Sequence, residues 1–151
     1  MKNITIKLLK SLFLGSFFWG KLLGSIDPGC IRFLSVSQIV KLTQDEILAL
    51  DTEAIKAFCP WQMWSFWPWQ IVCFTPKQIK SFTRRQIQAF VGDQIQAFTV
   101  DQIAAFDPWQ IGCLTLKQIK HLKLEQIGAL SPEQVVVLNP EQKEALIRRE
   151  F

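Results

Sequence analysis

The sequence predicts an all-α protein: a superhelical solenoid of short one-to-two-turn helices with eight residues per repeat, preceded by an N-terminal amphipathic helix. Three observations predict this fold. Two apolar series recur every eight residues without an insertion, a helix-start signal precedes each unit's core residue, and proline recurs at one fixed place in the unit. We number the unit from its Leu or Phe, so that at least thirteen units fill about 34–146.

The two apolar series define the core of each unit. Position 6 carries the first series: Ile39, Ile47, Ile55, Met63, Ile71, Ile79, Ile87, Ile95, Ile103, Ile111, Ile119, Ile127 and Val135. Position 1 of the next unit, three residues on, is always Leu or Phe, as in Leu42, Phe82 and Leu138. Residues three apart lie on one face of a helix, so we expect both series to point to a shared interior.

Each unit also carries its own start signal. Position 2 favours Ser, Thr, Asp or Asn, whose side chains cap the first turn of a helix. Position 3 is Pro in six units, and Pro is tolerated at the first helical residue because its missing N–H has no partner there. Position 5 is Gln in twelve units, and Thr followed three residues later by Gln is a capping box.

These signals exclude one continuous helix. The repeated Pro would break it, and eight residues advance a straight helix about 80° past two turns, so the Ile series would spiral around the surface. Helices this short do not persist alone, and their stability must come from stacking along a shared apolar interior. Lys143 stands where the last unit should have Ile, as expected for a polar end repeat.

The N-terminal segment 1–25 differs in kind. If it is helical, Lys7, Lys10 and Lys21 share one face and apolar residues such as Phe17 and Trp19 complete an amphipathic helix. Three interpretations stay open: a cap over the first repeat, a helix lying in an anionic membrane surface, or a targeting segment that would make the protein secreted or membrane-associated. Residues 26–33 are predicted as a turn or linker, because they contain Asp-Pro-Gly, and 147–151 as a C-terminal tail.

Several units match a known pattern. FTPKQIKSF (74–82), FTVDQIAAF (98–106) and LSPEQVVVL (130–138) resemble the LTxxQIxAL-type octapeptide arrays of some bacterial proteins, over about three quarters of the chain. That resemblance implies an α-helical solenoid and carries no general function. LSPEQVV also resembles the start of the repeat of transcription-activator-like effectors. That unit is several times longer and has a base-reading loop absent here, so DNA readout is not implied.

Departures from the repeat pattern indicate candidate functional residues. Position 4 is usually polar, but Trp61, Trp69 and Trp109 occupy it, while Trp64 is at position 7 and Trp67 replaces a cap. An exposed aromatic patch marks a partner site. The alternative is that neighbouring superhelical turns, or the N-terminal helix, cover these rings.

A second departure from the repeat pattern consists of basic residues. Lys77, Arg85 and Lys117 occupy position 4 in the first helical turn, where the helix dipole favours an acid, and Arg84 lies beside them. A basic strip on one face would suit phosphates or anionic lipid, and Trp interleaved with Lys and Arg would suit single-stranded nucleic acid. The alternative is an ordinary solvated face.

Residues 68–83 closely match 108–122, five units later. Either a five-unit block was duplicated, or five units approximate one superhelical turn.

Nothing in the sequence predicts catalysis. The chain has one His, and its four Cys show no metal-ligand spacing. Cys73 and Cys113 stand where Ala is usual, so we expect them to be small core residues. We therefore expect no enzyme activity, no cofactor and no metal. The sequence favours a non-enzymatic interaction scaffold that binds protein, with membrane-surface association through 1–25, or nucleic-acid binding through the Lys, Arg and Trp face, as alternatives.

Overall fold

The computed structural model describes residues 28–148, and in them every regular element is an α-helix. The predicted all-α solenoid of short helices is thereby confirmed. The helices, in chain order, are α1 Pro28–Ile31, α2 Val36–Ile39, α3 Gln44–Ala49, α4 Thr52–Ala57, α5 Pro60–Met63, α6 Pro68–Val72, α7 Pro76–Ile79, α8 Arg84–Ala89, α9 Gly92–Ala97, α10 Val100–Ala105, α11 Pro108–Gly112, α12 Leu116–His121, α13 Leu124–Gly128, α14 Pro132–Val136 and α15 Pro140–Ile147.

Local signals start and end these helices as the sequence predicts. In α7, Thr75 is the extended N-cap, its hydroxyl accepts the Gln78 N–H, and Pro76 opens the helix. The Gln78 side chain reaches back to the Thr75 N–H at 2.8 Å. No described residue has positive φ, so the helices end without a left-handed cap. Each helix is instead followed by the extended N-cap residue of the next unit.

The array begins earlier than the sequence analysis placed it. Helix α1 occupies 28–31, within the stretch assigned to a turn or linker, and Ile31 is fully buried eight residues before Ile39. This corrects the start of the packed units from Leu34 to Pro28. At the other end α15 continues to Ile147, the first residue of the predicted tail. Residues 1–27, with the predicted amphipathic helix, lie outside the described part of the chain.

The superhelical turn follows from which helices touch. Most helices pack against a helix three places away, as α1 does on α4, α5 on α8, α9 on α12 and α12 on α15. Hydrogen bonds between neighbouring turns join residues 28 and 31 apart, so one turn takes between three and a half and four units. The prediction that five units approximate a superhelical turn was therefore wrong, and duplication of a five-unit block stays a prediction.

The position-5 glutamines connect the turns, which the sequence analysis did not foresee. Gln110 is fully buried. Its Oε1 accepts the Asp107 N–H at 2.9 Å, and its Nε2 donates to the Ile79 and Phe82 carbonyls at 2.9 and 3.0 Å. One side chain thus caps its own helix and donates to two carbonyls of the preceding turn: that of Ile79, which also accepts the Phe82 N–H, and that of Phe82.

The same arrangement recurs along the array. The Nε2 atoms of ten glutamines donate to carbonyls 31 and 28 residues earlier, at 2.6–3.0 Å. These are Gln62, Gln70, Gln78, Gln86, Gln94, Gln102, Gln110, Gln118, Gln126 and Gln134. The Nε2 of Gln142 donates to the carbonyls of Gly112, 30 residues earlier, and Leu114, 28 residues earlier, at 3.2 and 2.7 Å. Each such bond stabilises the fold by about 1 kcal/mol net, and each would leave a buried group unpaired if lost.

The two units that lack this Gln belong to the first described turn. Glu46 keeps the capping role by accepting the Thr43 N–H at 2.8 Å, and the Asp51 side chain caps the unit of Ala54. For both positions the carbonyls 28 and 31 residues earlier belong to residues before Pro28. Gln38 in the same turn has a buried Nε2 without a hydrogen-bond partner.

Phenylalanine rings fill the interior of the superhelix. Consecutive rings pack edge to face with centroids 5.2–5.4 Å apart, a favourable arrangement for aromatic pairs. The series is Phe58, Phe66, Phe74, Phe82, Phe90, Phe98 and Phe106. The position-6 residues from Ile39 to Ile119 are buried around it, so positions 1, 5 and 6 face inward and positions 2, 3, 4 and 7 remain for the surface.

Candidate interaction site

The five tryptophans of the described residues are all exposed. The exposed fractions are 42% for Trp61, 59% for Trp64, 54% for Trp67, 51% for Trp69 and 50% for Trp109. They occupy positions 2, 4 and 7 of their units. Because positions 1, 5 and 6 pack inward, these positions face the solvent. The described turns therefore do not bury these rings, whereas the other alternative, coverage by the N-terminal helix, falls on residues outside the described part of the chain. Trp19 lies outside the described residues.

The superhelical register decides which exposed residues share a face. Trp61 and Trp69 are eight residues apart, about a quarter of a turn of 28–31 residues. Trp64 and Trp67 lie between them and line a groove with Val36 and Val91. Because Val36 and Val91 come from the preceding and following turns, only the tertiary structure reveals them as part of this site.

We call this surface the Trp face. It comprises Phe33, Val36, Trp61, Trp64, Trp67, Trp69 and Val91, and each of these side chains is exposed. Its central groove has a volume of about 500 Å³ and is open to solvent, with Val40, Pro68, Asp93 and Gln94 also in its walls. The walls are mainly apolar, as expected for a docking surface rather than for a site that carries out acid–base chemistry.

Trp109 does not belong to the Trp face. It follows Trp69 by 40 residues, which is one turn and about a third of another. The predicted set of five tryptophans is therefore divided into a cluster of four and a separate ring. In the sequence these residues share a unit position, and position alone does not give the angle around the superhelix.

The predicted basic residues also lie at separate places on the surface. Lys77, Arg84, Arg85 and Lys117 are all exposed. Lys117 follows Arg85 by 32 residues, close to one turn, so these two lie in one column along the superhelix. Lys77 precedes Arg85 by eight residues, about a quarter turn, and lies outside that column.

The column is not interleaved with the tryptophans. Arg85 follows Trp61 by 24 residues, between four and seven short of a full turn, so the basic column runs beside the edge of the Trp face. These four basic residues therefore do not alternate with the tryptophans on one face, and binding of single-stranded nucleic acid stays a prediction. Lys80, nearby in sequence, pairs with Asp107 at 3.8 Å, an exposed contact that contributes little.

Two of the cysteines, Cys73 and Cys113, pack against the carbonyls of tryptophan residues. Cys113 is buried and Cys73 half-buried, and their Sγ atoms contact the Trp109 and Trp69 carbonyls at 3.2 and 3.4 Å. Burial raises the pKa of the Cys73 thiol. Residues 28–148 hold no cluster of three or more His, Cys, Asp or Glu that could bind a metal ion.

The void between the interior rings is too small to hold a substrate. Between the rings of the described turns lies a void of about 10 Å³, lined by Ile, Leu and Phe side chains such as Ile103 and Phe98.

None of the helices in residues 28–148 has the length and apolar character needed to cross a membrane. The residues predicted to contact a membrane, Lys7, Lys10, Phe17, Trp19 and Lys21, fall outside this part of the chain.

Comparisons with known proteins return no relative. No family model matches the chain, no curated protein is similar to it, and no solved structure matches its fold. The function must therefore be argued from the Trp face itself.

Proposed function

We propose that this protein is a non-enzymatic interaction scaffold, in which the superhelical array holds the Trp face rigidly and presents it to a protein partner. The observation that carries the proposal is the exposure of four tryptophans within about a quarter turn, two of which, Trp64 and Trp67, line an apolar groove. The rest of the array buries its core positions thoroughly, so the exposure of these rings is a property of the surface positions they occupy.

The size of the surface supports a macromolecular partner. A Trp side chain offers up to about 250 Å², and about half of each of the four is exposed, so they contribute roughly 500 Å². Phe33, Val36 and Val91 bring the Trp face to roughly 800 Å², above the few hundred Å² usual for the largest apolar patch of a monomer. It also equals the area that one partner contributes to a standard protein–protein interface.

The chemistry of the surface supports a protein rather than a small molecule. Tryptophan is enriched among the residues that dominate binding energies, because a rigid ring buries a large area at a small entropy cost. The groove is open to solvent and lined by Trp64 and Trp67, which suits insertion of an apolar side chain from a partner.

Affinity capture with matched variants tests the proposal. The baits are the wild type, the double variant Trp64→Ala/Trp67→Ala, and the control Trp109→Ala, which removes an equally exposed ring from another face. We expect partners that the wild type and the control recover equally and the double variant loses at least about tenfold. Equal recovery by all three baits, with matching circular dichroism spectra, would contradict the proposal.

A further inference from the structure

We infer that residues 1–27 of this chain cover the N-terminal end of the array, where a lysine of the segment pairs with Glu46 and one of its backbone carbonyls accepts a hydrogen bond from Gln38. The inference concerns the end of the superhelix and does not depend on the proposed function of the Trp face. Three observations carry it: the burial of the first described turn, the residues that replace glutamine in that turn, and the charge of the segment.

The core of the first described turn, helices α1–α4, is buried as completely as the core of the interior turns. Ile31, Ile39 and Ile47 are each 0% exposed, although the described residues include no turn before them. The last turn shows the effect of an uncovered end, because Val135 at the same unit position is 36% exposed and Ile127 is only partly buried. The burial of the first turn therefore indicates a cover other than the described turns.

The residues at position 5 indicate what kind of chain forms this cover. Every unit from Gln62 to Gln142 has glutamine there, and its Nε2 donates to carbonyls of the preceding turn. In the first turn the position-5 residues are Gln38, Glu46 and Ala54, and an ionised Glu and an Ala have no side-chain donor. Another repeat turn, from this chain or from a second copy, would present carbonyl oxygens to the carboxylate of Glu46. The cover therefore differs from a repeat turn.

Glu46 is a buried carboxylate that has no described cationic partner. Its side chain is 7% exposed, and its Oε2 accepts from the N–H and the hydroxyl of Thr43 at 2.8 and 3.0 Å. Glu46 takes part in none of the three ion pairs recorded for residues 28–148. Burial of an unpaired charge is costly, so buried carboxylates are usually paired as well as hydrogen-bonded. The position of Glu46 therefore favours a cover that brings a cation to the first turn.

The segment 1–27 matches the first turn in charge, composition and length. Its only acidic residue is Asp27, at its end, and the run from Leu8 to Leu23 supplies many apolar side chains. The segment joins the array directly at Pro28 and is close in length to the 28–31 residues of one turn. Its attachment also gives it a high effective concentration at this end. The lysines that could pair with Glu46 are Lys2, Lys7, Lys10 and Lys21.

Gln38 offers a second contact to the segment. Its Oε1 accepts the Ser35 N–H at 2.7 Å, as in the later capping boxes, while its Nε2 is buried without a hydrogen-bond partner. In the units from Gln62 to Gln134 the same atom donates to carbonyls 31 and 28 residues earlier. For Gln38 those positions are Lys7 and Lys10, which belong to the segment. A carbonyl of the segment would therefore give this buried donor its acceptor.

Limited proteolysis of the full chain tests the cover, because trypsin cleaves after Lys7, Lys10 and Lys21. We expect cleavage at these sites to be at least about tenfold slower than in a synthetic peptide of residues 1–27, since packed chain must open before a protease can bind it. Cleavage at the rate of the peptide would overturn the inference. Protection that develops only when vesicles of anionic lipid are added would also overturn it, because the segment would then bind a membrane surface instead.

Two substitutions test the contacts, and each keeps the oxygen that caps its helix. Glu46→Gln restores the residue of the later units but removes the charge, so it should speed cleavage of the segment about fivefold. Gln38→Glu removes the donor and should have a similar effect, of about fivefold. The control is Asp45→Asn, which removes the same charge from an exposed site on the same helix and should leave the rate unchanged.

The result for Glu46→Gln decides the charge pairing. If this variant protects the segment as well as the wild type does, while circular dichroism shows that both are folded, the inference is wrong. Urea unfolding of Lys2→Met, Lys7→Met, Lys10→Met and Lys21→Met then identifies the partner. One of these variants should lower the unfolding midpoint of the wild type and leave that of Glu46→Gln unchanged. Equal shifts in both backgrounds for all four lysines would overturn the pairing.

Discussion

The imidazole of His121 packs directly over the α-carbon of Gly92, one superhelical turn earlier. A Cβ placed on Gly92 would lie 2.6 Å from Cε1, 2.7 Å from Nδ1 and 2.8 Å from Nε2 of the ring. Position 8 is a small residue in most units, and His121 is accommodated there because the turn below supplies a residue without a side chain. The two departures from the repeat therefore compensate each other.

A double-mutant cycle tests this compensation. Gly92→Ala alone should be neutral or destabilising by about 1 kcal/mol, because the gain in helix propensity is offset by overpacking against His121. In a His121→Ala background the same change should stabilise by about 0.5–1 kcal/mol. Urea unfolding of the four proteins measures the coupling, and a coupling of zero would show that the ring moves aside without cost.

Loss of a bridging glutamine should destabilise the array far more than loss of a surface glutamine. Gln102→Ala removes the bonds to the Ile71 and Phe74 carbonyls and to the Thr99 N–H, so we expect a loss of about 2–4 kcal/mol. Gln96, at position 7 of the neighbouring unit, is the control, and its change to Ala should cost less than about 0.5 kcal/mol. Chemical denaturation gives both values, and equal costs would contradict the inter-turn role of Gln102.

The phenylalanine interior predicts that substitutions of Phe82 lower the free energy of unfolding more when they remove more side-chain volume. This ring is 1% exposed and contacts Phe74 and Phe90 edge to face, at 5.3 Å in each case. Phe82→Ala should cost about 3–5 kcal/mol because it leaves a cavity in the superhelix. Phe82→Leu, which introduces the residue found at the same unit position in Leu114, should cost less than about 1.5 kcal/mol. Thermal and urea unfolding rank the two variants, and the reverse order would contradict a close-packed interior.

The raised pKa of Cys73 predicts slow and pH-dependent alkylation. The thiolate is the reactive form, and burial disfavours it, so at a given pH less of Cys73 is ionised in the folded protein than in the unfolded chain. Alkylation by iodoacetamide, followed peptide by peptide with mass spectrometry, should be slower for Cys73 in buffer than in urea. Its rate should also reach half-maximum at a higher pH when the protein is folded. An identical pH profile in both states would contradict this prediction.

The start of the array shows where sequence reasoning lost information. Asp27-Pro28-Gly29 indicates a turn, and Cys30 stands where later units have Gln, so the first unit was assigned to a linker. Yet Ile31 and Leu34 keep the three-residue spacing of the core and are buried. The spacing of the core residues therefore indicated the start of the array better than the capping residues did. Burial of Ile31 and Leu34 depends on packing from the next turn rather than on the capping residues of their own unit.

The candidate site was predicted in its parts and not in its arrangement. The exposure of Trp61, Trp64, Trp67 and Trp69 was one of two open alternatives, and the separation of Trp109 was not anticipated. Val36 and Val91 carried no sequence signal, since a valine at a surface position is unremarkable.

The sequence by itself determined the helices and the residues that face inward. Thr75, Pro76 and Gln78 act on one another within three residues, so each unit encodes where its helix begins, although the helix persists only when it is packed in the array. The tertiary structure decided the number of units per turn, the second role of each glutamine, and the grouping of Trp64 with Val36 and Val91. Those features depend on contacts between residues 28–31 apart, whose geometry is set by the packing of Phe and Ile side chains between turns. No single eight-residue unit contains that information, because the unit is repeated while its angle around the superhelix changes at every step.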